Sequence, residues 1–129
     1  MHRTSSDTAP SVPAGSEHFS GPVAMKQLAS LDAPRGTALL VTFEAGSRTY
    51  WHSHPNGQVL FVTDGDGRIA TRDAASPALR PGDLVYAPPG EQHWHGASAG
   101  QRVSHLALSF DDTEWLEEVD QRAYDEVAR

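Results

Sequence analysis

Two histidine pairs carry the strongest chemical signal in the chain. His52 and His54 lie in Tyr50-Trp51-His52-Ser53-His54-Pro55-Asn56-Gly57-Gln58, and His93 and His95 in Pro88-Pro89-Gly90-Glu91-Gln92-His93-Trp94-His95. Residues two apart on a strand project to the same face, so each pair can aim both imidazoles into one pocket. Neutral imidazole is a ligand for zinc, manganese, iron and copper, and histidines converging from separate strands can build a metal site inside a β-barrel. A fifth histidine, His105, sits in an alternating run of its own, Val103-Ser104-His105-Leu106-Ala107-Leu108-Ser109-Phe110. The chain has no cysteine, so any metal must be held by nitrogen and oxygen, and disulfides and thiol nucleophiles are excluded.

The elements that must position these residues read as strands. Nine prolines and eleven glycines fall between short apolar runs, the punctuation of an all-β protein with many turns. Strands are expected at Val23–Leu28, Thr37–Glu44, Ser47–His52, Gln58–Asp64, Arg68–Arg72, Asp83–Ala87, Gln92–Gly96 and Gln101–Phe110. Turn signals such as Glu44-Ala45-Gly46, Asp64-Gly65-Asp66-Gly67 and Arg80-Pro81-Gly82 separate them. In the His105 run one face carries Val103, His105, Ala107 and Ser109, and the other carries Leu106, Leu108 and Phe110. Periodicity leaves open which of the two is the pocket. Trp115, Leu116, Val119, Ala123 and Val127 recur at spacings of three and four behind Asp111-Asp112-Thr113, which predicts an amphipathic helix from Glu114 to about Ala128. Residues 1–18 have little to bury and are expected as a flexible arm, leaving a single domain over residues 19–129.

Charge narrows the partners. A net charge of −7 without a basic cluster argues against nucleic acid and anionic membranes. The N-terminal region has no apolar stretch suited to a leader or a membrane span, so a cytoplasmic location is expected. The partner that remains is a small-molecule substrate.

The motifs resemble those of the cupin superfamily. Gly46, His52-Ser53-His54, Gln58 and Gly65 are similar to the first cupin motif, and Gly82, Pro88-Pro89-Gly90 and His93 to the second. Gln58 stands where the first motif usually has a carboxylate, and Ala97 where the second usually ends in asparagine. The resemblance implies a jelly-roll barrel of two antiparallel sheets with a short C-terminal helix. At closer range, Thr42 to Thr49, the two histidine segments and Ser104-His105-Leu106-Ala107 resemble small bacterial monocupins related to carboxymuconolactone-decarboxylase-associated cupins. That group includes manganese-dependent hydroxynitrile lyases, and the ligand set is similar to that of monocupin polyketide cyclases that bind zinc. The resemblance implies metal ligation by His52, His54, Gln58 and His93, catalytic roles for His95 and His105, and a substrate cavity walled by Leu39, Val41 and Ser109. Tyr50 and Leu60 are expected to join that wall if they face inward. It also implies one divalent transition metal, manganese or zinc, with iron or nickel compatible with the same donors, and a homodimer.

Three histidines and a glutamine leave the full charge on a divalent ion, which favours Lewis-acid chemistry over a redox cycle. His105 would then be general acid or base, while His95 either completes the coordination sphere or hydrogen-bonds the substrate. A lyase or cyclase acting on a small apolar or aromatic oxygenated substrate follows. An iron-dependent dioxygenase and a non-catalytic metal or ligand-binding cupin remain the alternatives. Trp51 and Trp94 are expected in core or interface, and Arg48 either orients a substrate anion or, the favoured reading, pairs with an acidic residue such as Glu44.

Overall fold

Short alternating strands dominate the computed structural model, which describes residues 1–127. In chain order they are β1 (Val12–Pro13), β2 (Phe19–Ser20), β3 (Val23–Asp32), β4 (Arg35–Phe43), β5 (Arg48–Thr49), β6 (His52–Ser53), β7 (Gln58–Gly65), β8 (Gly67–Thr71), β9 (Ala75–Leu79), β10 (Leu84–Ala87), β11 (His93–Ala97), β12 (Val103–Phe110) and β13 (Glu114–Trp115). One short helix follows, α1 (Gln121–Glu126). A six-stranded antiparallel sheet runs β1-β3-β4-β12-β7-β10, and a second sheet runs β13-β6-β11-β5-β2, with β8 paired to β11 and β9 to β8. The two sheets form an all-β jelly-roll barrel.

The inner faces follow the period-two pattern. β12 turns Val103, His105 and Ala107 inward as fully buried residues and leaves Leu106, Leu108 and Phe110 half-buried outside. His105 lies between Val41 of β4 and Val62 of β7, so the pocket face is the one that carries the histidine. Val41, Phe43, Leu60, Val62, Val103 and Ala107 form the main core between the sheets. Each such side chain, fully buried, contributes about 1.5–3 kcal/mol for the larger aliphatics.

A second cluster covers the outside of β11. Trp94, Ala70, Val119, Tyr124 and Val127 pack together there. The Tyr124 hydroxyl donates to the Ala97 carbonyl at 2.6 Å, and the Arg48 and Arg68 guanidinium carbons lie 4.5 and 4.3 Å from the Tyr124 ring centre. Arg48 Nε and Nη2 donate to the Val119 carbonyl. The expected pairing of Arg48 with Glu44 is therefore replaced by a clamp on the C-terminal segment, while Trp94 is a core residue as expected.

The predicted helix over 114–128 is corrected. Glu114 and Trp115 form β13, with Trp115 opposite His52, and Leu116 N–H donates to the Trp51 carbonyl while Trp51 N–H donates to that of Glu117. Edge pairing to β6 satisfies these backbone groups before a helix can, and α1 begins only after Asp120, whose side chain accepts from Ala123 N–H at 2.8 Å. Residue 128 of the expected helix lies outside the described residues. The predicted strand Ser47–His52 divides into β5 and β6, and β9 was not foreseen because Ala-Ser-Pro-Ala-Leu has low strand propensity, tolerable at a sheet edge. In the segment expected as an arm, Val12 and Pro13 pair with Met25 and Ala24, and Lys26 Nζ donates to the Ser6 carbonyl at 2.6 Å.

Gly96 marks a close backbone approach behind the histidine strand. It lies in β11 between β5 and β8, and a Cβ there would overlap the Ser47 carbonyl and the backbone of Arg48. Gly96→Ala is expected to destabilise the fold by about 1–3 kcal/mol through overpacking, read as a lower urea midpoint.

Candidate metal centre

β6 and β11 are the strands that deliver the histidines. His52 and His93 are directly opposed in register, and the alternation along β11 brings His95 to the same side as His93. His54 follows β6, and its carbonyl accepts from both Gly57 N–H and Gly90 N–H at 3.0 Å, tying the two motif loops together. The ring centroids of His52 lie 4.4 Å from His93, 5.0 Å from His54 and 5.3 Å from His95. One ring nitrogen from each of His52, His93 and His95 lies within 4.8 Å of the others. All four rings are buried.

Hydrogen bonds set the tautomers. His52 Nδ1 is 2.9 Å from the Tyr50 carbonyl and His93 Nδ1 is 3.0 Å from the Glu91 carbonyl. A carbonyl can only accept, so each Nδ1 carries the proton and each Nε2 keeps its lone pair. His93 Nε2 then faces Gln58 Oε1 at 3.1 Å, because the Gln58 amide nitrogen donates to Ser109 Oγ at 2.9 Å. Two lone-pair atoms at that separation repel unless a cation lies between them. His54 Nε2 and His95 Nε2 are buried with no hydrogen-bond partner among the described residues. Buried orphan nitrogens are costly in a dry interior and natural as ligand atoms. The donor set therefore fits a divalent transition metal held by nitrogen and one neutral oxygen.

Burial also sets protonation. Desolvation, reinforced by the neighbouring His93, holds His52 well below the ordinary histidine value, and desolvation with the adjacent His105 does the same to His95. Burial brings His54 and His105 each down to about 4 and lowers His93. His105 Nε2 is 3.1 Å from His95 Nδ1, so one proton is shared between them, and His105 Nδ1 has no partner.

A small cavity of about 80 Å³ opens onto this cluster. Leu39, Val41 and Ser109 line it together with His52, His54, Gln58, His95 and His105. Two expected wall residues lie elsewhere. Leu60 is 1% exposed within the core cluster, and Tyr50 turns outward, its hydroxyl donating to Glu118 at 3.2 Å. Tyr50 lies between β5 and β6, beyond the regular alternation that would have turned it inward. Phe19, Thr113 and Trp115 line the cavity without having been foreseen. Trp115 lies 4.9 Å from the His52 ring and stacks on His18 at 4.3 Å. Its helical spacing with Val119 concealed this position, and no local signal distinguishes a wall residue from a helix face.

The barrel with histidines on two facing motif strands is that of a cupin. Residues 39–108 match the cupin domain family, and the chain belongs to that family. It is 44% identical over 88 residues to (R)-mandelonitrile lyase of Granulicella tundricola, covering 65% of this chain and 67% of that protein. Its fold superposes on a cupin-like protein of Thermotoga maritima with a TM-score of 0.85 and 34% identity, covering all of this chain and 96% of the other. The polyketide cyclase RemF of Streptomyces resistomycificus shares the fold at a TM-score of 0.76 and 17% identity, covering 97% and 91% of the two chains.

The buried histidines predict a pH dependence. They are neutral in the fold, whereas an unfolded histidine takes up its proton near 6.5. Below that pH the unfolded chain gains protons that the folded one excludes, so stability present above 6.5 is lost as pH falls towards 4. The urea midpoint of metal-free protein is expected to be clearly lower at about pH 5 than at about pH 7.5. Equal midpoints would contradict neutral burial.

Proposed function

We propose that this protein is a metal-dependent cupin lyase that cleaves a small aromatic or apolar cyanohydrin into an aldehyde and hydrogen cyanide. The observation that carries the reading is the buried set of His52, His54 and Gln58, joined by His93 through its 3.1 Å contact with Gln58, beside a cavity that His95 and His105 also line. The 44% identity to a protein named (R)-mandelonitrile lyase supports the same reaction class. His52, His54, Gln58 and His93 would hold one divalent ion, manganese or zinc. Bound there, it supplies Lewis acidity towards an oxygenated substrate.

The chain's own residues supply the rest. With His105 Nε2–H donating to His95 Nδ1, His105 Nδ1 keeps its lone pair and accepts the hydroxyl proton of the cyanohydrin as the carbon–carbon bond to the nitrile breaks and the aldehyde forms. His95 holds His105 in place through that 3.1 Å nitrogen–nitrogen contact. The leaving cyanide takes the proton back. Leu39, Val41, Phe19 and Trp115 exclude water and suit an apolar side group, and the small volume favours a compact substrate over an extended one.

Elemental analysis of untagged protein beside a His52→Ala/His54→Ala double variant tests the centre. The expected outcome is manganese or zinc near one per chain, lost in the variant, with (R)-mandelonitrile converted to benzaldehyde. His105→Ala is expected to lower that turnover by roughly 10²–10⁴-fold. Iron with substrate-dependent oxygen uptake would replace this reading with a dioxygenase, and absence of any metal would leave a binding protein.

A homodimer is the second part of the proposal. Leu40, Leu106, Phe61 and Leu84 form one row across the outside of β4, β12, β7 and β10, and Ala38, Leu108, Val59 and Tyr86 form the next. Neither row contains a charge in a chain of net charge −7, and Phe61, Leu84 and Tyr86 are 42%, 65% and 60% exposed. A second copy related by a two-fold axis would meet this patch with the same patch and bury both. Light scattering is expected to give the mass of a dimer, and Phe61→Asp that of a monomer.

A further inference from the structure

The ligands of the centre are not all held in the same way. His52 and His93 are oriented by backbone carbonyls two residues earlier in the chain, those of Tyr50 and Glu91. His54 and Gln58 are oriented by side-chain hydroxyls. His54 Nδ1 lies 3.3 Å from Thr113 Oγ1, and Gln58 Nε2 donates to Ser109 Oγ at 2.9 Å. We infer that Ser109 and Thr113 are positioning residues whose hydroxyls keep the Gln58 amide and the His54 ring in their ligating orientations. The inference rests on the metal-centre reading above.

Gln58 is the sharper case. Ser109 lies directly opposite it in the β7–β12 pairing, so the hydroxyl is delivered by sheet register. An amide is nearly symmetric in shape, and only its hydrogen-bond partners decide which end faces the cluster. With Ser109 accepting from the nitrogen, Oε1 faces His93 Nε2 at 3.1 Å and both lone pairs are available to a cation. Without the hydroxyl, the amide is free to turn over and donate to His93 Nε2. That would satisfy the metal-free protein while occupying two ligand positions with one hydrogen bond. With a cation at Oε1 the amide nitrogen still needs an acceptor, and Ser109 Oγ supplies it at 2.9 Å.

Thr113 acts on the tautomer of His54. When Nε2 ligates, the proton sits on Nδ1, and Thr113 Oγ1 at 3.3 Å is the acceptor that satisfies it. The segment that carries Thr113 is tied to the same motif loop. Asn56 donates to Asp111, Arg35 donates to Asp111 and Asp112 at 3.2 Å, and Asp111 N–H donates to the Arg35 carbonyl. Asp111 adopts a left-handed backbone, φ 59°, which turns the chain from β12 towards β13 and brings Thr113 over His54. Thr113→Val removes the acceptor and makes the Nε2–H tautomer, which cannot ligate, competitive.

The test is Zn2+ titration of chelator-stripped, full-length protein against a chromophoric competing chelator, with thermal melting of each metal-free variant alongside. Wild type is expected to bind one Zn2+ per chain. Ser109→Ala and Thr113→Val should each weaken binding by roughly 10–100-fold. Ser109→Thr and Thr113→Ser, which keep the hydroxyl, should recover most of the loss. A metal-free Ser109→Ala that melts lower than wild type yet binds Zn2+ as tightly would mark a packing role and overturn the inference. Hydroxyl-free variants that bind Zn2+ as tightly as wild type would overturn the inference and leave the metal centre standing, as would conservative variants no better than the deletions. Wild type that binds no Zn2+ would overturn the metal reading itself, and the inference with it.

Discussion

The hydrogen bonds from His52 Nδ1 to the Tyr50 carbonyl and from His93 Nδ1 to the Glu91 carbonyl orient the whole interior. Each carbonyl lies two residues before its histidine, and with the proton on Nδ1 each Nε2 keeps its lone pair. Once those two lone pairs are placed, the remaining polar groups have few options. Gln58 must present its oxygen or its nitrogen, His54 and His95 must leave Nε2 unpaired or bound, and His105 must share a proton with His95. Five imidazoles in one dry volume also repel each other's positive charge, so burial and mutual proximity both favour the neutral, ligating form.

Such a concentration of unpaired nitrogen is tolerable only on rigid strands. The barrel supplies rigidity from two sides. Inside, Val41, Phe43, Leu60, Val62 and Val103 pack beneath the polar cluster. Outside, Trp94 and Tyr124 back the strand that carries His93 and His95, and two arginines close over the Tyr124 ring while donating to carbonyls of the C-terminal segment. A guanidinium buried against an aromatic face with carbonyl acceptors loses less than one buried without partners, which explains how two cations stand so close without carboxylates.

The C-terminal segment shows where local patterns mislead. Trp115, Leu116 and Val119 have helical spacing, yet Trp115 closes the cavity as part of a two-residue strand and the helix is only one and a half turns long. Isolated helices of that length are marginal in water, so a vacant strand edge beside β6 decides the outcome. The same holds for Tyr50 and Leu60. Both are near ligands in the chain, but one lies beyond the regular alternation and faces Glu118, while the other points one layer deeper, into the core.

The sequence by itself determined the all-β class, the two-motif barrel, the histidines that face one another and the inward face of β12 as one of two choices. The class and the faces follow from period-two alternation, a local property of the chain, and the barrel from the likeness of its two motifs to those of cupins. Only the tertiary structure decided which hydroxyls meet Gln58 and His54, since those contacts join residues 51 and 59 positions apart, and which aromatic closes the cavity. It also decided that His95 bonds to His105. Such choices depend on sheet register and on the order in which strands pair, quantities that exist only after the two sheets have closed on each other.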